Sequence, residues 1–105
     1  MKKVLTIAGS DCSGGAGIQA DLKTMSAHGV FAMSVIVSVV AENTARVISI
    51  EDISPKVIED QMDAVFEDIF PDAVKVGMLS TPPCMQAVAR KLRQYQPKHL
   101  VIDPV

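Results

Sequence analysis

Short apolar runs alternate along the chain with segments in which apolar residues recur every three or four positions, a pattern typical of α/β proteins. Five short runs predict strands: Val4–Ala8, Ser34–Ala41, Arg46–Ile50, Ala73–Val76 and His99–Ile102. The second run is almost continuously apolar and β-branched, which predicts a strand covered on both faces.

Three segments between these strands have the period of an amphipathic helix. The first begins near Ile18 and ends at Gly29, a residue that often terminates helices. The other two begin at Ser54 and Thr81, each followed by a proline, which together indicate an N-cap and a first helical turn. The stripes expected to face the sheet are Ile18, Leu22 and Met25, then Ile58, Met62, Val65 and Ile69, then Met85, Val88, Leu92 and Tyr95.

This order of elements predicts one α/β domain over residues 1–105, with a mainly parallel sheet flanked by helices. A buried parallel strand is normally followed by a covering helix, and none follows His99–Ile102. We therefore expect the chain to be a piece of a larger fold. We also expect an exposed apolar surface that favours a homo-oligomer.

Composition narrows the classes of partner. The net charge is −2 and the signs are mixed along the chain, which argues against binding to nucleic acid or to an anionic membrane. Cys12 and Cys84 have neither a CxxC nor a metal-binding spacing, so a reducing, cytoplasmic location is expected. The first apolar run is too short for a signal peptide, and the longest is interrupted by serines and does not span a bilayer.

Polar or glycine-bearing segments follow four of the predicted strands. They are Gly9–Asp11, Glu42–Thr44, Gly77–Met78 and Asp103–Val105. In an open α/β sheet, ligands bind outside the carboxyl ends of the strands. The sequence therefore predicts a cleft where these four segments meet.

The small-residue loop before the first helix allows two interpretations. Gly15–Ala20 matches the pattern GxGxx(G/A), and Glu42 ends the next strand, which favours a dinucleotide-binding domain. About five residues separate the strand end from Gly15, however, whereas the fingerprint turn follows its strand directly. A strand–helix turn that merely requires glycine explains the loop equally well.

Two carboxylates near this edge also have structural explanations. Asp21 lies in an early turn of its helix, where the helix dipole stabilises an acid. Asp11 suits a turn. Glu42 is less easily explained in this way, because no turn at that strand end requires an acidic residue.

The segments Leu5–Asp11 and Ser13–Thr24 closely resemble the opening signature of hydroxymethylpyrimidine/phosphomethylpyrimidine kinases of thiamine biosynthesis. Later segments match the same family in order and spacing, so the resemblance covers the whole chain: Asn43–Thr44, Gln61–Ile69, Asp72–Leu79 and Val101–Val105. The resemblance implies the N-terminal part of a ribokinase-like fold.

The resemblance also implies an activity. This family phosphorylates 4-amino-5-hydroxymethyl-2-methylpyrimidine, and then its monophosphate, with ATP and Mg²⁺. Its ATP site, its metal site and its aspartate base would lie beyond residue 105, so neither a catalytic residue nor a metal ligand is expected in this chain. The pyrimidine pocket is expected to use seven residues, with Asp21 meeting the polar edge of the substrate: Gly9, Ala16, Asp21, Val40, Glu42, Met78 and Val105.

Glu42 departs from the family pattern, which commonly has Gln at this position. Gln accepts from the 4-amino group and donates to a ring nitrogen, whereas an ionised Glu only accepts. This leaves open a preference for pyridoxal-type alcohols, which close relatives accept. The alternatives to a kinase part are a non-catalytic binding or assembly module and a dinucleotide-binding domain.

Overall fold

The computed structural model describes residues 1–103, which form one five-stranded sheet in the order β3-β2-β1-β4-β5. β1 pairs in parallel with β2 and β4, β4 pairs in parallel with β5, and only β3 runs antiparallel, against β2. The predicted mainly parallel sheet is confirmed. The strands are β1 Lys3–Asp11, β2 Phe31–Glu42, β3 Val47–Asp52, β4 Ala73–Val76 and β5 Leu100–Ile102.

The helices begin where the sequence predicted. They are α1 Gly17–Ala27, α2 Pro55–Asp68 and α3 Pro82–Tyr95. Ser54 Oγ accepts a hydrogen bond from the Val57 amide at 3.3 Å, and Thr81 Oγ1 accepts one from the Cys84 amide at 3.3 Å. Each cap thus satisfies a backbone donor that a helix start leaves without an intrahelical partner. None of the helices within residues 1–103 combines the length and the apolar character needed to cross a bilayer.

The main core lies between the sheet and the pair α2 and α3. Alternate residues of the three central strands face these two helices, and the buried cluster is Leu5, Ile7, Val35, Val37, Val74 and Val76 from the strands with Ile58, Met62, Phe66, Cys84, Ala87 and Val88 from the helices. Because successive strand residues point to opposite faces, Thr6 and its neighbour across the sheet, Lys75, face α1 instead.

The stripe predicted for α3 is partly wrong. Met85 is 48% exposed, while Cys84 and Ala87 are buried beside Val88. The reason is that α3 packs against α2 as well as the sheet, so its buried face is rotated from the stripe read by spacing alone. Tyr95 meets α2 by stacking on Phe66, with ring centroids 4.6 Å apart.

The outer strands are less covered than the centre. Val39 is 49% exposed, so the prediction that Ser34–Ala41 is covered on both faces holds only around Val35–Ser38. Every residue of β3 and β5 is exposed, the latter as expected for the last strand.

Along β2, the Gln61 side chain bonds to both the N–H and the C=O of Ile36, each at 2.9 Å.

Candidate ligand-binding site

A cleft of about 260 Å³ opens at the carboxyl ends of β1, β2 and β4. Five of the seven residues predicted from the sequence line it: Gly9, Ala16, Val40, Glu42 and Met78. Asp21 is not among the lining residues, and Val105 lies outside the described residues. The structure thus brings five of these residues to one surface, and the ligand contacts assigned to all seven stay a prediction.

The glycine-rich loop is organised by Asp11, whose side chain is buried. Its Oδ1 accepts from the Ser13 amide at 2.9 Å and the Ser13 hydroxyl at 2.7 Å, and its Oδ2 accepts from the Gly15 amide at 3.1 Å. The Ser13 hydroxyl, aided by backbone amides and opposed by burial, lowers the pKa of the Asp11 carboxyl. This carboxylate therefore shapes the turn, in agreement with its interpretation as a turn residue.

Glycine is required where α1 begins beside the end of β1. Gly17 has a φ of +56°, and a Cβ there would lie 2.3 Å from the Gly9 carbonyl oxygen. Gly9 itself lies inside β1, not at its end as predicted, at a register shift opposite Ser38. Gln19 then joins the two elements, accepting from the Asp11 amide and donating to Ser10 Oγ, both at 2.8 Å.

A second tie fixes the end of β2. The Cys12 thiol donates to the Glu42 carbonyl oxygen at 3.1 Å and accepts from the Glu42 amide at 3.3 Å. Neither the spacing nor the chemistry of Cys12 predicted this contact. It holds the backbone of Glu42 beside the glycine-rich loop, so the Glu42 side chain projects from a fixed point at the cleft.

Beneath the glycine-rich loop, Asp21 joins three elements of the fold. Its Oδ2 accepts from Thr6 Oγ1 at 2.6 Å and from Lys75 Nζ at 2.8 Å. The side chains of Lys75 and Asp21 are 25% and 18% exposed, and Thr6 is fully buried. Asp21 therefore borders the cleft through Lys75, which does line it.

Lys75 is the lining residue that sequence reasoning missed most clearly. It lies within the four-residue strand Ala73–Val76, among apolar residues. A lysine is rarely buried without a partner, so its presence in an apolar run was a usable signal. Ser38, Gly77 and Asp103 also line the cleft. Gly77 and Asp103 belong to strand-end segments that were predicted to meet there, whereas Ser38 was not predicted.

The described residues do not fit a magnesium or triphosphate site. Among residues 1–103, no group of three or more His, Cys, Asp or Glu side chains is placed to hold a metal ion. Among the described residues that line the cleft, the charged ones are three acids and one lysine: Asp11, Glu42, Asp103 and Lys75. This balance is unfavourable for a polyphosphate and compatible with an uncharged or amine-bearing ligand.

Fold and site together define an α/β domain with a small-molecule cleft at the carboxyl edge of its sheet. The sequence model of phosphomethylpyrimidine kinase matches residues 11–105, and the chain belongs to this family. The family predicted from the sequence motifs is confirmed.

Individual relatives agree. A hydroxymethylpyrimidine/phosphomethylpyrimidine kinase of Rhizobium meliloti is 52% identical over 96% of this chain and 38% of its own length. The crystal structure of phosphomethylpyrimidine kinase from Clostridium difficile superposes with a TM-score of 0.98 at 55% identity, over 100% of this chain and 46% of that one. The chain thus spans less than half the length of these relatives.

A third comparison extends the likeness to another kinase. Pyridoxal kinase from Staphylococcus aureus, solved in complex with AMP-PCP and pyridoxal, superposes with a TM-score of 0.87 at 36% identity, over 100% of this chain and 40% of that one. The ribokinase-like fold expected from the resemblance is confirmed by these neighbours.

Proposed function

We propose that this chain supplies the pyrimidine pocket of a kinase that phosphorylates 4-amino-5-hydroxymethyl-2-methylpyrimidine, and then its monophosphate, in thiamine biosynthesis. The observation that carries the proposal is the cleft in which Val40, Met78 and Glu42 converge with two glycines, Gly9 within β1 and Gly77 just after β4. Membership of the phosphomethylpyrimidine kinase family supports it.

The lining chemistry suits one flat heteroaromatic ring. Val40 and Met78 offer apolar surface to the ring faces, and Gly9 and Gly77 let the backbone approach closely. The Glu42 carboxylate can accept a hydrogen bond from an exocyclic amine. A volume of about 260 Å³ lies at the small end of ligand pockets, which favours a single ring over a dinucleotide.

In this proposal the chain binds and orients the alcohol, and ATP with Mg²⁺ supplies the phosphoryl group. The AMP-PCP complex of the Staphylococcus aureus pyridoxal kinase supports the use of ATP. Because the described residues do not fit Mg²⁺ or a triphosphate, we assign no phosphoryl-transfer step to them. Their contribution is to hold the alcohol in one orientation, which lowers the entropic part of the barrier.

Titration calorimetry of the 105-residue chain tests the proposal. We expect the pyrimidine alcohol to bind, NAD⁺ to give no heat of binding, and ATP with the alcohol to give no turnover by residues 1–105 alone. Binding of NAD⁺ without binding of the pyrimidine would favour the dinucleotide alternative and overturn the proposal.

Pyridoxal is the necessary comparison ligand. The Staphylococcus aureus neighbour binds it, and Glu42 differs from the Gln common in the pyrimidine kinases. We expect the pyrimidine alcohol to bind more tightly, because it carries the amine that Glu42 can accept from and pyridoxal does not. Tighter binding of pyridoxal would reassign the substrate and keep the class of site.

A further inference from the structure

We infer that Lys75 is a specificity-determining residue of this cleft, and that its ammonium group donates a hydrogen bond to an acceptor nitrogen of the bound heteroaromatic ring. The inference rests on the proposed function, because it concerns the ligand of the same cleft. It adds a donor to a site whose predicted polar contacts, Asp21 and Glu42, are both acids.

The first support is the position of the Lys75 side chain. It lines the cleft, and it is the one Lys or Arg among the described lining residues. An ammonium group has three N–H donors, and the bond to Asp21 Oδ2 uses one. Within residues 1–103 the structure gives Nζ no second acceptor, so donors remain for a ligand in the cleft.

The second support is that the surroundings hold the ammonium group in place. Asp21 anchors it from α1 at 2.8 Å, and Thr6 orients the same carboxylate oxygen from β1 at 2.6 Å. A lysine whose four-carbon side chain is fixed by an ion pair loses less entropy when it binds a ligand. Lys75 is thus preorganised to a degree that an exposed surface lysine is not.

The third support is the glycine beside Lys75. A Cβ at Gly77 would lie 3.2 Å from Lys75 Nζ and 3.1 Å from Ala8 Cβ. Since Gly77 has no positive φ, its conformation does not demand glycine, and the space it leaves adjoins the ammonium group. Gly77 and Lys75 both line the cleft, so this space belongs to the ligand side of the lysine.

The hydrogen-bonding groups of the cleft complement those of an aminopyrimidine ring. An aminopyrimidine presents one exocyclic donor and two ring-nitrogen acceptors. Glu42 can satisfy the amine, but an ionised carboxylate cannot donate to the ring. Lys75 supplies the missing donor, which explains how a cleft with Glu at position 42 could still bind a ring with acceptor nitrogens.

The test pairs variants of the chain with ligand analogues in which each ring nitrogen in turn is replaced by C–H. We expect the parent chain to bind one analogue about ten- to a hundred-fold more weakly than 4-amino-5-hydroxymethyl-2-methylpyrimidine, the range for a lost charge-assisted hydrogen bond. The Lys75→Met variant should bind the pyrimidine more weakly than the parent by a similar factor. It should bind that analogue and the pyrimidine with equal affinity.

Two controls keep the outcome decisive. Asp21→Asn removes the ion pair and keeps Lys75, so it should weaken binding but retain the discrimination between pyrimidine and analogue. Gly77→Ala keeps the charges of Lys75 and Asp21 but crowds Nζ, so it should lower both the affinity for the pyrimidine and the discrimination against the analogue. It tests the role of Lys75 if Lys75→Met does not fold.

Equal binding of the pyrimidine and both analogues by the parent chain, or unchanged discrimination in Lys75→Met, would overturn the role of Lys75 while leaving the proposed function intact. Failure of the parent chain to bind the pyrimidine at all would remove the proposed function and this inference with it.

Discussion

The Cys12 thiol and the main chain of Glu42 are joined by two hydrogen bonds, 3.1 Å to the carbonyl oxygen and 3.3 Å from the amide. These residues are 30 positions apart in the sequence. The contact ties the glycine-rich loop to the end of β2, where Glu42 lines the cleft. It makes the position of Glu42 depend on the loop.

Replacing Cys12 should therefore release Glu42. In Cys12→Ala we expect faster hydrogen exchange at the Glu42 amide and a few-fold loss of pyrimidine affinity, because sulfur is only a weak donor and acceptor. Cys12→Ser keeps a donor and an acceptor and should recover part of both effects. NMR-detected exchange measures the first, and unchanged protection in Cys12→Ala would show that the thiol contact does not hold the strand end.

Glu42 should contribute a charge-assisted hydrogen bond to the ligand amine. Glu42→Ala should weaken binding about ten- to a hundred-fold, corresponding to roughly 1.5–3 kcal/mol. Glu42→Gln keeps an acceptor and adds a donor, so binding should survive or improve. Calorimetry with the pyrimidine alcohol compares the three, and parent-like affinity in Glu42→Ala would mean that this residue does not contact the ligand.

Gly17 and Gly29, which both have a positive φ, offer a matched test of how closely α1 packs against β1. Gly29→Ala meets no atom within 4 Å and should cost about 1–2 kcal/mol for the left-handed conformation alone. Gly17→Ala adds a collision with the Gly9 carbonyl and should cost more, on the order of 3–5 kcal/mol. Urea unfolding measures both, and equal costs would contradict the tight packing of α1 on β1.

Tyr95 links α2 and α3 and should make the free energy of unfolding fall at alkaline pH. Its hydroxyl donates to Asp63 Oδ1 at 2.6 Å, and this bond raises the pKa of Tyr95 to about 12. Because the folded pKa lies above the unfolded value of about 10, the contribution is present below pH 10 and lost as pH rises toward 12.

Tyr95→Phe keeps the stacking on Phe66 and removes the hydroxyl, so it should cost about 1 kcal/mol near neutral pH. Its unfolding free energy should fall less steeply than that of the parent between pH 10 and 12. Parallel pH profiles for the two proteins would show that the bond to Asp63 does not contribute.

The exposed outer strands lead us to propose that the 105-residue chain self-associates. Val101 and Ile102 of β5 are each 63% exposed. Val101→Lys should weaken association and so lower the weight-average sedimentation coefficient of the sample. Val57→Lys, at an exposed valine of α2, should leave this coefficient unchanged. A monodisperse monomer of the parent chain in sedimentation would disprove the proposal.

Local patterns in the sequence determined much of this fold. The caps at Ser54 and Thr81 and the strand Ala73–Val76 were predictable because each depends on neighbours within a few residues. The glycine loop was predictable for the same reason. The family resemblance gave seven expected pocket residues, five of which line the cleft. The Asp11 side chain likewise bonds to Ser13 and Gly15, which are two and four residues away.

Tertiary structure alone determined the long-range polar contacts and the buried face of α3. Lys75 and Asp21 are 54 positions apart, and Cys12 and Glu42 are 30 apart, so no local period records either contact. The buried face of α3 shifted from Met85 to Cys84 because a second helix lies beside it. Hydrophobic spacing reports which side of an element is apolar, but only the packed neighbours determine which side chains they cover and which polar groups they bring within bonding distance.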